Sequence, residues 1–592
     1  LAPFDKAYLC EAFVEDSKAA LRDWIRALEA IRVLDERAGA TLAALVGEAA
    51  AAHAASPALI GVRETLTYGA LAGRVNQYGR WAVGEGFAAG DVVCLLMPNC
   101  PDYAAIWLGL TQVGCVVALL NTNLTGGALA HCIDAAKPRG MIVAAALLPM
   151  FVGGDAPASG VRIWVHGDAG CSEMPRIDLA IAGLDDAPLA DDARGALETA
   201  LLIYTSGTTG LPKAAKVTQR QLVEWSFWFA GMMDARPEDR LYNCLPMYHS
   251  IGGVVAVGAM LVRGGSVLIR EKFSASRFWD DIVDGECTVF QYIGELCRYL
   301  VQSPAHARET AHRLRLCCGN GLQGGTWEQF TARFNIPRIL EYYAATEGVV
   351  SLYNCEGKPG AIGRVPGFLN HRFPIALVRC DIETGVPLRD ANGFCTRCGP
   401  DEAGEAIGKL DVRPGFYTDE AASERKILRD VFAAGDCWFR TGDLMRRDAA
   451  GFYYFVDRMG ETFRWKGENV ATTEVAAVVS AGPGVVQAVV FGVEVPGHEG
   501  KAGMAAITTG ADFDMAVLLA HMARHLAAYA RPVFLRLCQS LESTGTFKLQ
   551  KSNLQREGLG ADDVWFCDYR AGSAVKCDKA LINDIAAGRV RV

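Results

Sequence analysis

Five short runs constrain this chain more than any other feature of its sequence: DVVCLLM (91–97), GCVVALL (114–120), GSVLIRE (265–271), CTVFQYI (287–293) and RILEYY (338–343). Each is rich in Val, Leu, Ile or aromatic residues and does not alternate with polar ones. A strand written this way has to be covered on both faces, which is the condition of a parallel sheet between helical layers. Amphipathic stretches such as LAGRVNQYGRWAVGEG (71–86) lie between the runs and supply the crossovers. The expected fold class is therefore α/β, with parallel-rich sheets covered by helices.

After about Gly451 the texture changes. FYYFVDR (452–458), VVQAVVFGV (485–493) and GMAAITT (503–509) read as short strands. A helical MAVLLAHMARHLAAYA (515–530) follows, and Pro532 closes it. With 592 residues, the chain exceeds what one core organises. The expected division is an amphipathic N-terminal extension (1–40), a large domain (41–459) and a smaller, mobile α+β domain (460–592).

A hydrophobic fraction of 51% with 21% charged residues is that of a globular protein, and a net charge of -9 argues against a general nucleic-acid binder. Nineteen cysteines in a long apolar chain without a secretory signal at its visible start read as reduced, mostly buried thiols of a cytoplasmic protein. Cys395 and Cys398 form a lone CxxC with no second pair at zinc spacing, so a structural role is expected. The sequence starts at Leu1 rather than Met, and a short leader missing before it is expected. The uncharged stretch 103–120 sits at the lower length limit for a membrane span, and Gly114 divides it. A helix followed by a core strand is expected there.

The stretch YTSGTTGLPKAAK (204–216) carries the chemistry. A strand, ALLIY (200–204), feeds a loop with four hydroxyls (Thr205, Ser206, Thr208, Thr209), two glycines (Gly207, Gly210) and Lys213. Such residues cannot build a core, because glycine costs backbone entropy and Ser and Thr compete for backbone hydrogen bonds. Freed N–H groups, hydroxyls and an ammonium suit a polyphosphate, while composition alone equally fits a surface loop. The GxxxxGK[ST] spacing is absent.

The wording of this stretch resembles the signature of the adenylate-forming superfamily of acyl-CoA synthetases, peptide-synthetase adenylation domains and luciferases. Further blocks follow in that family's order: LPMYHSIGG (245–253), YYAATEG (342–348), TGDL (441–444), DRMGETFRWKGENV (457–470) and TGTFKLQK (544–551). DRMGETFRWKGENVATTEVA, VPGHEGKAGMAA (495–506) and TGTFK resemble the fatty acid transport protein and very-long-chain acyl-CoA synthetase branch.

The resemblance implies two steps: a carboxylate attacks the α-phosphate of ATP, and the thiol of CoA then displaces AMP from the acyl-adenylate. It assigns Thr205, Ser206, Gly207, Thr208, Thr209, Gly210 and Lys213 to the β- and γ-phosphates, and Thr346 to the α-phosphate. Glu347 would hold Mg²⁺, and Tyr343 would pack on adenine. Asp443 would accept from the ribose hydroxyls, with Arg458 nearby. Lys548 would be the mobile catalytic lysine, with Lys551 as the alternative, and Gly460 the hinge about which the small domain turns. His249 would border the acyl pocket or serve as a packed structural histidine. Two departures stand out: Ala344 replaces the common Gly, and TGTFK places the lysine later than usual.

Gly319, Gly321 and Gly324 fit GxGxxG, the mark of a dinucleotide site, but the family reading makes this an adenine-side loop. The leading expectation is an ATP-dependent long- or very-long-chain fatty acid–CoA ligase with ATP, Mg²⁺ and CoA as cofactors and co-substrate. The alternatives are a ligase for bile-acid or steroid side-chain acids, and a non-catalytic fatty-acid carrier at the membrane. Luciferase-like oxidation has no specific support. From Ser17, SKAALRDWIRALEAIRVL places Leu21, Trp24, Ile25, Leu28 and Ile31 on one helical face, with Lys18, Arg22, Arg26 and Arg32 elsewhere. That pattern fits either peripheral membrane contact or packing on the large domain.

Overall fold

All five apolar runs form strands: Val92–Leu96, Val116–Leu119, Ser266–Ile269, Val289–Ile293 and Ile339–Ala344. The computed structural model describes residues 18–37, 39–151, 161–168, 170, 174–189, 195, 197–205, 212–381, 384–410, 415–466, 468–496, 498, 500–543, 549–587, 589–590 and 592. By its internal contacts the chain divides into two units, Leu1–Arg372 with Val412–Lys426, and Phe373–Asp411 with Ile427–Val592.

The first unit holds two sheets. One runs, edge to edge, Ser351–Asn354, Ile339–Ala344, Leu316–Asn320, Val289–Ile293, Arg240–Asn243, Ser266–Ile269, Pro57–Ile60, Thr65–Thr67. Its six inner strands are parallel, and each end pair is antiparallel. The other runs Arg162–His166, Gly140–Ala144, Val92–Leu96, Val116–Leu119, Thr199–Thr205, Lys213–Thr218, and only its last pair is antiparallel. Coverage on both faces is why the inner strands could be written without polar residues. The uncharged stretch becomes helix Pro101–Gln112 and strand Val116–Leu119, both buried. Among the described residues no helix is long and apolar enough to cross a membrane.

Helix Lys18–Glu36 is built into this unit. Trp24, Ala27, Ala30, Ile31 and Leu34 are buried. The Trp24 indole stands edge-on to Trp228 at 5.9 Å and to Tyr353 at 5.4 Å between ring centres. Asp23, also buried, is paired with Arg26 and Arg338. Of the face expected from periodicity, Trp24 and Ile31 are buried, Leu21 and Leu28 are partly so, and Ile25 is exposed. Protein, in the main, covers that face.

The second unit carries an antiparallel sheet in the order Ile375–Val378, Gly404–Lys409, Cys437–Arg447, Ile427–Arg429, with Tyr453–Arg458 also paired to the long strand. It also carries a hairpin, Phe463–Trp465 with Glu468–Val470. A third sheet, Val485–Glu494, Lys501–Thr509, Phe534–Leu537, Val564–Asp568 and Ser573–Lys576, packs with helices Thr472–Ser480 and Met515–His525 around Phe491, Met504 and Leu518. Position 460 falls within this unit.

Candidate active site

Strand Thr199–Thr205 and strand Lys213–Thr218 are antiparallel, and their first and last register partners next to the loop are Thr205 and Lys213. The intended phosphate loop thus leaves from a fixed neck that already holds one hydroxyl and one ammonium. Ser206, Gly207, Thr208, Thr209 and Gly210 lie outside the described residues.

The second motif sits on the hairpin Ile339–Ala344/Ser351–Asn354. Successive side chains of a strand face opposite ways. Tyr342 is buried with its ring 4.7 Å from Phe229, whereas Tyr343 is half-buried on the other side. Ala344 pairs with Ser351 in extended backbone, a conformation that alanine takes without strain, so the missing glycine is accommodated. A turn follows in which the Gly348 N–H donates to the Ala345 carbonyl at 2.9 Å. Thr346 and Glu347 are its corners, and Gly348 closes it at φ +77°, where a side chain would be strained.

Glu347 accepts a hydrogen bond from the Tyr417 hydroxyl. Tyr417 comes from a distant segment that lies along the edge strand. The Lys216 N–H donates to the Phe416 carbonyl at 2.8 Å, and the Thr418 N–H donates to the Ala214 carbonyl at 3.0 Å. The Tyr417 N–H donates to Ser423 Oγ at 3.0 Å. Thr205 hydrogen-bonds the same phenol, and the Lys213 ammonium lies 6.0 Å from the ring centre. Burial first, and then the Glu347 charge, push the phenol well above its ordinary range. Thr205, Lys213 and Glu347, which the sequence singled out, are therefore brought together around a residue that it did not. GFYTDEAA (415–422) has no chemistry-bearing spacing; its one signal is an aromatic pair in a polar stretch.

Behind the hairpin lies a second group that sequence reasoning missed. Glu341 is buried, takes the Tyr292 hydroxyl on one oxygen and accepts from the Leu322 N–H at 3.1 Å on the other. Burial pushes its carboxyl up to about 8, against opposing hydrogen bonds from Tyr292, Leu322 and Gly321, so it carries a proton at neutral pH. This brace fixes the GxGxxG loop. Gly319 needs to be glycine because a Cβ there would stand 2.2 Å from the Tyr292 carbonyl oxygen. His249 is half-buried with its ring 4.6 Å from Tyr248, and its carbonyl accepts from the Gly253 N–H at 2.8 Å to open the turn Ser250–Val255.

In the second unit, Asp443 and Arg458 face each other on paired strands, Nε to Oδ1 3.6 Å. Thr441 fixes the approach to Asp443, accepting from its N–H at 3.0 Å and donating to the Ala406 carbonyl at 2.7 Å. Gly460 lies in the turn that the Glu461 N–H closes onto the Arg458 carbonyl at 3.1 Å. Its φ is +82°, and a Cβ would meet nothing within 4 Å. Glycine is needed here for conformation, not for space. Lys551 donates to Glu461 at 2.5 Å and to the Thr472 hydroxyl at 2.6 Å. Lys548 lies outside the described residues.

Among the described residues no group of three His, Cys, Asp or Glu could hold a metal ion by itself. The groups around Glu347 instead fit a cation delivered with phosphate: one carboxylate for Mg²⁺, and hydroxyls and an ammonium for the phosphate oxygens that share it. The seventeen described cysteines are all free thiols, Cys395 and Cys398 among them.

Comparison with known proteins accounts for this arrangement. Residues 46–393 match the AMP-binding enzyme family and residues 474–548 the C-terminal domain of AMP-binding enzymes. The chain is 41% identical over 522 residues to long-chain fatty acid transport protein 1 of Mus musculus, covering 85% of this chain and 80% of that protein. It is 39% identical over 504 residues to the medium/long-chain-fatty-acid–CoA ligase FadD6 of Mycobacterium tuberculosis, covering 84% and 83%. The ATP-bound structure of MatB from Rhodopseudomonas palustris shares the fold, with a TM-score of 0.69, 24% identity, and 85% and 95% of the two chains covered. The chain belongs to the AMP-binding enzyme family, as an adenylate-forming acyl-CoA ligase that uses ATP, Mg²⁺ and CoA.

Proposed function

We propose that the chain activates long- or very-long-chain fatty acids, first as acyl-adenylates and then as CoA thioesters. The observation that supports this most is the meeting of Thr205, Lys213 and Glu347 at one place, around Tyr417. A hydroxyl and an ammonium at the neck of the loop, with a carboxylate opposite, are what a metal-bound triphosphate requires. Loop residues Ser206, Gly207, Thr208, Thr209 and Gly210 complete the cradle for the β- and γ-phosphates. Thr346 contacts the α-phosphate, Tyr343 lies against adenine, and Asp443 accepts from the ribose with Arg458 beside it. Glu347 would hold Mg²⁺, which would supply neutralisation of the phosphate charge. The fatty carboxylate attacks the α-phosphorus and pyrophosphate leaves. The CoA thiol then attacks the acyl carbonyl, and AMP leaves with the bonding pair. Lys548 stabilises the first transition state, where charge gathers between carboxylate and α-phosphate. Gly460 turns the small domain between the two steps, and His249 borders the acyl pocket.

The assay is pyrophosphate and AMP release over fatty acids of graded length, steroid acids and aryl acids, with and without CoA. Preference for long straight chains, with AMP release depending on CoA, is expected. Preference for steroid acids would replace the fatty-acid reading with the bile-acid one. Relatives named as transport proteins make a carrier the second reading, and saturable fatty-acid binding without pyrophosphate release is its mark. A cytoplasmic location with peripheral membrane contact through helix Lys18–Glu36 rests on Ile25 and Val33, its exposed apolar residues, and on Arg22 and Arg32. Equal flotation with anionic liposomes by the full chain and by a chain starting at Thr41 would exclude that contact.

A further inference from the structure

We propose that Tyr417 is a positioning residue for metal binding: it holds the Glu347 carboxylate by one oxygen and leaves the other for the cation. The inference rests on the reading of Glu347 as the Mg²⁺ ligand. A half-buried glutamate on a turn has several rotamers open to it, and binding a cation has to select one of them. A fixed donor makes that selection beforehand.

Tyr417 is such a donor. The residue is 2% exposed, main-chain hydrogen bonds join its two neighbours to the edge strand, and its own N–H is tied to Ser423. Its hydroxyl reaches Glu347, with Thr205 hydrogen-bonded to the same phenol. The identity of the donor matters too. A lysine or arginine in its place would neutralise the carboxylate and compete with the cation. A phenol is uncharged at neutral pH and leaves the full negative charge available. The ring also carries Lys213 on its face, 6.0 Å from centre to ammonium. One side chain thus sets the placement of the negative group for the metal and of the positive group for the phosphates. Thr205 and Lys213 are register partners at the neck of the loop, so that placement is referenced to where the triphosphate enters.

The test is calorimetric binding of ATP to the full chain, with acid and CoA omitted, once in Mg²⁺ and once in EDTA. Tyr417→Phe, which keeps the ring and removes one oxygen, should weaken binding in Mg²⁺ about tenfold, the scale of a hydrogen bond to a charged group. Binding in EDTA should stay within about twofold. Glu347→Gln should weaken binding in Mg²⁺ at least as much, and the double variant should be no weaker than Glu347→Gln alone, because the phenol acts only through the carboxylate. Unchanged binding by Tyr417→Phe, equal losses in Mg²⁺ and EDTA, or multiplying losses in the double variant would each overturn the proposal. If Glu347→Gln binds normally in Mg²⁺ while Tyr417→Phe does not, the metal reading of Glu347 itself fails. Ser423→Ala, which frees the Tyr417 backbone, should shift binding in Mg²⁺ in the same direction by a few fold. It decides the matter should Tyr417→Phe melt early, and a folded Ser423→Ala with unaltered binding in Mg²⁺ then counts against the proposal.

Discussion

Glu341 should make the stability of the first unit fall as pH rises, and Glu341→Gln should remove that dependence. The carboxyl is held neutral by burial, at about 8 against an ordinary 4.5. Below pH 4.5 both the folded and the unfolded chain carry the proton, and the group contributes its full share. Between roughly pH 5 and 8 the unfolded chain gives up the proton and the folded one keeps it. Stability therefore drops by about 1.4 kcal/mol per pH unit, about 5 kcal/mol in all, and levels off above pH 8. The titratable neighbours that interact with it, Tyr292, Cys297, Cys318 and Tyr342, are all pushed above their ordinary values by burial, so they do not ionise in that window. Glutamine keeps an acceptor oxygen for the Leu322 N–H and cannot ionise. Urea unfolding followed by tryptophan fluorescence at pH 5.5, 6.5 and 7.5 gives the two stabilities. The variant should gain on the native protein by about 2–3 kcal/mol across that range. A difference that stays flat within about 0.5 kcal/mol would show that Glu341 is ionised in the fold, and the argument from burial would be wrong.

Three further outcomes are expected. Lys548→Ala should lose about 10²-fold in adenylation and keep thioester formation from supplied acyl-AMP. Lys551→Ala, by contrast, should lower the melting temperature, since Lys551 is engaged with Glu461 and Thr472; the reverse pattern in half-reaction assays would exchange the two. Gly460→Pro forces φ from +82° to near -65° and should spare adenylation while abolishing the thioester step; parallel loss of both activities and of thermal stability would reduce Gly460 to a turn residue. Trp24→Ala should cost about 3–5 kcal/mol in chemical denaturation, because a fully buried indole between two aromatic rings is removed, and a loss below about 1 kcal/mol would mean that the N-terminal helix is dispensable.

The strands were readable because a parallel strand covered on both faces has to be apolar throughout, and 91–97 or 287–293 can hardly be anything else. Thr346 and Glu347 stand out only through the family wording, since a lone Thr-Glu pair on a turn has no periodicity. Helix Lys18–Glu36 shows what periodicity leaves open: it marks an apolar face but says nothing of whether protein or lipid covers it, and here Trp228 and Tyr353 do. Tyr417 could not be found locally. Its partner is 70 residues away, and the bond depends on the pairing of one short segment with a sheet edge. Glu341 is visible in RILEYY as the one charge within an otherwise apolar strand core, but its protonation follows only from the depth at which that strand is buried.

The segment that carries Tyr417 belongs to the first unit although the chain reaches it only after an excursion through 373–411. At about 5–20 residues per second, a ribosome needs roughly 2–8 s to make that excursion. During those seconds strand Lys213–Thr218 is the last strand of its sheet, and among the described residues its outer side awaits the segment 416–418. An open strand edge is a template for another chain. Lys213 and Lys216 stand on it, and charge of that kind is what keeps such edges from pairing with strangers. Lys213, at the neck of the loop, thus guards the edge of the nascent chain until Phe416 and Thr418 arrive and close it.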